Sequence, residues 1–260
     1  MAYQTLELRR DGHAASVTLN RPELRNAFDD SVIAELTQAF RELAADTGVR
    51  AIVLAANGPA FCAGADLNWM RRMAGYGYDE NRADAALLAD MLRTIDLCPQ
   101  PVVAKVQGDC YAGGMGLVAA CDIALVAEPV QFCLSEVRLG LIPATISPYV
   151  IRAMGQQAAR RYFVSAERFS AAEALRIGFA HQVVAADQLD AAAAALVKTL
   201  TANSPNAVRA AKRLVREVGG APIDDALIAA TVEGIAQIRA SDEGREGVRS
   251  FLEKRKPNWL

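Results

Sequence analysis

Apolar positions along this chain alternate at the amino end and then settle into a recurring order of strand, second short strand and helix. Residues 3–10 and 13–19 alternate around Asp11-Gly12, with Leu6 and Leu8 sharing one face and Val17 and Leu19 sharing one face, so an antiparallel hairpin is predicted. After the irregular loop Asn20-Arg21-Pro22-Glu23-Leu24-Arg25-Asn26, Asp29 or Asp30 is placed to cap a helix. Its apolar residues Val32, Ile33, Leu36, Phe40 and Leu43 recur at helical spacing. Residues 49–55 are apolar apart from Arg50, as expected of a strand covered on both faces. A helix over about 81–97 leads to a β-branched run at 101–106. The stretch from Tyr111 to Gly140 then reads as strand, glycine turn and buried helix, with short strands at 121–127 and 130–134 ending at Ser135-Glu136.

Beyond Pro143 the pattern turns almost wholly helical. Helices are predicted at 155–165, after a capping box Ser170-Ala171-Ala172-Glu173, at 187–201, from Ser204-Pro205 onward, and at 223–238 and 244–254. The apolar faces of the last helices exceed what a thin appendage buries alone, so the C-terminal third is expected to build an oligomer.

Composition narrows the function. The 260 residues are 52% hydrophobic with a net charge of −2, an ordinary globular balance without the basic excess that nucleic acid or an anionic membrane surface would select. The amino end enters a strand pattern with neither a charged leader nor a long apolar run, so a cytoplasmic location is expected. Five cysteines without CxxC spacing lie mostly inside apolar runs and read as buried free thiols. With only His13 and His181, neither near a cysteine pair, a zinc site or a Ser-His-Asp triad has little material; both histidines read as structural and no metal is expected.

The candidate chemistry lies in two small-residue turns, each following a strand: Ala63-Gly64-Ala65 and Ala112-Gly113-Gly114. The first amides of a helix have no partner within it and sit at the positive end of its dipole, so Gly113 can offer an N–H to a developing oxyanion, and Ala65 is the natural second donor. Each turn taken alone fits close packing equally well. Residues 68–80 mix glycines, aromatics and methionines, which suggests a mobile segment over a pocket.

Taken together, Asn20-Arg21-Pro22, the run from Phe61 to Leu67, Gly113-Gly114, Ala120-Cys121-Asp122-Ile123, Gly140-Leu141-Ile142-Pro143 and the ending from Phe251 to Pro257 resemble the crotonase (enoyl-CoA hydratase/isomerase) superfamily. The resemblance implies an α/β fold, a crotonase-type spiral of ββα units with a C-terminal helical trimerisation region. It divides the chain into a core, 1–200, with the CoA thioester site, and an oligomerisation region, 201–260. It implies an acyl-CoA substrate, with coenzyme A as part of that substrate and no separate cofactor, and a homo-oligomer, trimer or dimer of trimers. It places Ala65 and Gly113 as oxyanion donors and Glu136 as the acid–base residue. For coenzyme A it points to Leu24 and Arg25, to the turn 63–68 including Ala63, Asp66, Leu67 and Asn68, and to Phe251 and Lys254 from a neighbouring subunit. A second reading gives Asp66 the job of holding the turn, and the Lys254-Arg255-Lys256 cluster also fits a solvated surface.

One departure bears on mechanism. The second glutamate of ordinary short-chain hydratases falls at Gly116, so Glu136 stands alone, and an isomerase or a non-catalytic acyl-CoA-binding protein becomes an alternative. The run from Phe132 to Val150 is similar to 3-methylglutaconyl-CoA and isohexenylglutaconyl-CoA hydratases. A glutaconyl carboxylate beside a second glutamate would be repelled, so Gly116 is expected to remove that charge and open space, with Arg71 or Arg72 as the nearest candidate cations.

Overall fold

The computed structural model describes residues 3–260. The amino end forms the expected hairpin of β1 (Leu6–Asp11) and β2 (Ala14–Leu19), paired antiparallel from Leu6 opposite Leu19 to Asp11 opposite Ala14. Helix α1 (Asp30–Ala45) follows, capped by Asp29, whose carboxylate accepts the Ser31 and Val32 N–H groups. Its buried stripe of Val32, Ile33, Leu36, Phe40 and Leu43 is the one the spacing picks out.

The chain then repeats a pair of strands and a helix. Strands β3 (Ala51–Ala56) and β4 (Ala60–Cys62) precede α2 (Leu67–Met73) and α3 (Tyr78–Asp96). Next come β5 (Val102–Val106), β6 (Asp109–Tyr111) and α4 (Gly113–Ala120), followed by β7 (Ile123–Ala127), β8 (Gln131–Cys133) and α5 (Ser147–Ser165). In each pair the first strand joins one sheet and the second another. With β9 (Phe169–Ser170) and β10 (Gln182–Val184), the sheets run β1-β2-β3-β5-β7-β10 and β4-β6-β8-β9. Strand β3 lies inside the larger sheet, parallel to β2 and β5, and is buried along nearly its whole length. In the smaller sheet β4, β6 and β8 are parallel neighbours.

After α6 (Ala171–Arg176) and α7 (Leu189–Ala202), helices α8 (Pro205–Val218), α9 (Asp225–Ala240) and α10 (Asp242–Leu252) complete the chain. Helix α8 is pinned to the core by Lys212, which donates to Asp122 and to the Gln100 carbonyl, and by Arg209, which donates to the Val49 carbonyl.

Two expectations are corrected and a third is given its form. Residues 68–80, expected as a mobile segment over a pocket, are mostly helical, forming α2 and the start of α3, because the Asp66 carboxylate caps α2 through Asn68 and Trp69 N–H, and Trp69 is buried against Phe28. Helix α5 starts at Ser147, earlier than expected, and absorbs Gly155 as a local break at φ 75°. The predicted capping box at 170–173 is half made. Ser170 accepts the Glu173 N–H, but the Glu173 carboxylate is taken by Tyr162 and Arg176.

Candidate active site

The three segments singled out for chemistry leave the same end of the smaller sheet. Strand β4 runs into Ala63-Gly64-Ala65, β6 into Ala112-Gly113 and β8 into Ser135-Glu136, and the three strands are consecutive and parallel. Parallel strands send their carboxyl ends to one side, so turns some 70 residues apart in sequence become neighbours there. The first two turns touch: a Cβ on Gly64 would lie 3.1 Å from the Ala112 Cβ and 3.4 Å from the Tyr111 carbonyl oxygen. Gly64 has φ +93°, a conformation that side-chain-bearing residues rarely adopt.

Backbone bookkeeping around these turns leaves the Ala65 and Gly113 amides among those without an acceptor. Gly64 O accepts from Phe28 N at 2.9 Å and Asp66 N donates to Phe28 O at 3.0 Å, so the bridge between residues 28 and 65 uses the Gly64 carbonyl and the Asp66 N–H and leaves the Ala65 N–H out. Ala112 N donates to Cys133 O at 2.8 Å, and Gly113 opens α4, where no intrahelical acceptor exists. Among the described residues, neither the Ala65 N–H nor the Gly113 N–H has an acceptor within the protein. The Phe28 ring lies against Gly113, where any Cβ would collide with it, so glycine is required on steric grounds as well.

Glu136 opens a short 3₁₀ turn over Glu136–Leu139, closed by Gly140 in the left-handed region. Its carboxylate is half-buried, Oε2 is buried and has no hydrogen-bond partner, and burial pushes its pKa above the ordinary glutamate value. A solvated capping carboxylate would show neither property.

The other candidate positions fall into two groups. Leu24 and Arg25 are exposed and sit beside the first turn, since the Arg25 carbonyl accepts the Ala63 N–H at 3.0 Å. Leu67 and Asn68 open α2 from the same turn and are exposed. Asp66 is buried, with its carboxylate engaged by the α2 amides and by Arg21 at 3.3 Å. Phe251 and Lys254 lie elsewhere in the single chain: both are exposed, at the end of α10, which packs on α8 and α9. Of the candidate cations, Arg72 pairs with Asp30 and Arg71 donates to Asn68.

The space expected at Gly116 is not open. Gly116 is buried one turn into α4, and a Cβ there would collide with the Ile146 side chain and touch Leu92. Both are core residues, so the position is walled by hydrocarbon.

The residues that lock the first turn carry weak sequence signals. Buried Asn26 donates to the carbonyls of Asn57 and Ala60 at 2.7 and 2.9 Å, and Arg21 bridges Asp29 and Asp66. The loop 20–26, expected to be irregular, contains a 3₁₀ turn over Pro22–Leu24 closed by local bonds such as Arg25 N–H to the Pro22 carbonyl, and the long-range bonds of Asn26 and Arg21 tie it to the first turn.

This fold and this sheet-end arrangement define a crotonase-type protein. A solved enoyl-CoA hydratase from Shewanella pealeana superimposes with a TM-score of 0.96 at 44% identity, covering 99% of this chain and 96% of that one. A solved enoyl-CoA hydratase from Mycobacterium smegmatis gives 0.93 at 36% identity, over 98% and 99% of the two chains. The mevalonyl-coenzyme A hydratase sidH of Aspergillus fumigatus is 34% identical over 249 residues, 95% of this chain and 91% of that protein. The family model described as enoyl-CoA hydratase/isomerase matches residues 9–260. The chain therefore belongs to the enoyl-CoA hydratase/isomerase family, and it is an enzyme of that hydratase type.

Proposed function

We propose that the protein adds water across the double bond of an α,β-unsaturated acyl-CoA. The observation that carries this reading is that two acceptor-free amides and one half-buried carboxylate with a partnerless oxygen lie on segments leaving the same end of β4, β6 and β8. The thioester oxygen accepts from Ala65 and Gly113. Attack of water at C3 forms the C3–O bond and moves the π electrons onto that oxygen as an enolate, where two preset donors stabilise the charge. Glu136 takes the proton that water loses and returns it to C2 as the enolate collapses. One carboxylate thus acts first as base and then as acid.

The acyl group we assign is a 3-methylglutaconyl-like one, as in leucine or acyclic terpenoid breakdown, and the enzyme would act in the cytoplasm. Support comes from the run Phe132 to Val150, similar to that of 3-methylglutaconyl-CoA hydratases, and from glycine rather than a second carboxylate at 116. A relative that is by name a mevalonyl-coenzyme A hydratase points likewise to a branched acyl chain. Coenzyme A would lie along Leu24, Arg25 and the 63–68 turn, with Phe251 and Lys254 supplied by another copy of the chain.

A second reading has the same residues shift the double bond, Glu136 carrying a proton between C2 and C4; the lone carboxylate favours it. Reaction in H₂¹⁸O of crotonyl-, 3-methylglutaconyl- and terpenoid glutaconyl-CoA, followed by loss of conjugated-thioester absorbance and mass analysis, separates the two. Hydration puts one labelled oxygen into the product. Turnover without label would establish the isomerase, and binding without turnover would remove both.

A further inference from the structure

Cys62 ends β4 and stands between the two turns that carry the free amides. It is fully buried. Its Sγ accepts the Gly64 N–H at 3.4 Å. On its other side it meets the first turn of α4, where a Cβ on Gly114 would come within 2.7 Å of the Cys62 Cβ and 3.1 Å of its Sγ. Gly64 directly precedes Ala65, and Gly114 directly follows Gly113. One side chain therefore contacts the neighbour of each amide.

The hydrogen bond matters because of what it holds. Gly64 sits at positive φ outside both sheets, a conformation its own backbone does not enforce, and the sulfur is the acceptor its N–H finds. The contact with Gly114 matters because glycine there lets the sulfur approach the helix backbone closely. Any change in the bulk at 62 is passed to the distance between the β4 turn and α4. Burial also pushes the thiol pKa up to about 12, so the group is a neutral S–H.

We infer that Cys62 is a positioning residue: its sulfur fixes the Gly64 turn and spaces it from α4, and so sets the relative placement of the Ala65 and Gly113 amides. It does not touch substrate. The inference rests on the reading above that these amides hold the thioester oxygen, and the experiment keeps the two apart.

The test compares Cys62→Ser, which keeps an acceptor, with Cys62→Ala and Cys62→Val, which lack one. Steady-state kinetics is run on each with the panel substrate that the unaltered enzyme turns over. The absorption shift of bound crotonyl-CoA, which reports carbonyl polarisation, is read with each substitution placed in a Glu136→Gln background to hold the ligand unreacted. Misplacing one oxyanion donor lowers kcat by roughly ten-fold or more while leaving binding of the CoA portion intact. The expected result is a fall in kcat with little change in KM for Ala and Val, a smaller absorption shift in both, and recovery of most of each in Ser. Should Ala fail to fold, Ser against Val decides the same question. Val matching the unaltered enzyme, or Ser losing as much as Val, overturns the inference. Absence of any absorption shift in Glu136→Gln alone overturns the oxyanion reading itself, and the inference with it.

Discussion

Glu136 brings an ionisable group into a position where one of its oxygens has no partner, and this sets its titration in two measurable ways. Replacing it by glutamine should lower kcat by roughly 10²–10⁴-fold with little change in affinity for the CoA portion, as expected when proton transfer is its task. Because burial raises its pKa, the base form is lost at higher pH than for a free glutamate, so the acid limb of the rate profile should lie above the ordinary carboxylate range. The same shift affects stability with a definite sign. A folded-state pKa above the unfolded one favours the protonated form, so the contribution is full below the unfolded pKa and is lost as pH rises through the folded one. Glu136→Gln should therefore be more stable than the unaltered protein at neutral pH, and urea denaturation should show the gap narrowing as pH is lowered. Gly116 offers a second test at this scale. Gly116→Ala should cost about 1–3 kcal/mol by overpacking against Ile146, and Ile146→Ala in the same chain should recover part of it, whereas an open pocket there would give no such coupling.

At the scale of elements, α2 shows how a mixed composition becomes helical. Glycines at 75 and 77 and a mixture of aromatics and methionines gave no clear period over 68–80. Yet Asp66 caps the helix, Trp69 donates to Asp84 at 3.0 Å, and its ring packs on Phe28. Those partners lie up to some 40 residues away, beyond the reach of a local pattern. Asp66→Ala removes the cap, worth about 1 kcal/mol, and also takes one of the two carboxylates from Arg21, which is largely buried. The expected loss of stability is therefore larger than for a surface cap, and thermal denaturation measures it. Activity should fall as well, because this carboxylate ties the Ala65 turn to the loop 20–26.

For the whole molecule, the C-terminal helices leave a face without a partner in the single chain. Ile228, Val232 and Ile235 of α9 are 50%, 61% and 48% exposed, and Phe251 and Leu252 of α10 are exposed further on. We expect this face to be covered by other copies of the chain. Sedimentation velocity should find an oligomer, and Val232→Glu should dissociate it with the helical content unchanged; a monomer at micromolar concentration would refute this. The sequence alone determined the hairpin, the central strands at β3, β5 and β7 and the buried stripe of α1, because each depends on the spacing of apolar residues along a short stretch of chain. It also marked Ala65, Gly113 and Glu136, since small residues after a strand and a motif of several matched segments are local signals. Only the tertiary structure decided that alternate strands part into two sheets, that three carboxyl ends meet on one side, that Oε2 of Glu136 is left without a partner, and that Ile146 fills the place beside Gly116. These outcomes depend on which distant residues come into contact, and spacing along the chain carries no information about that.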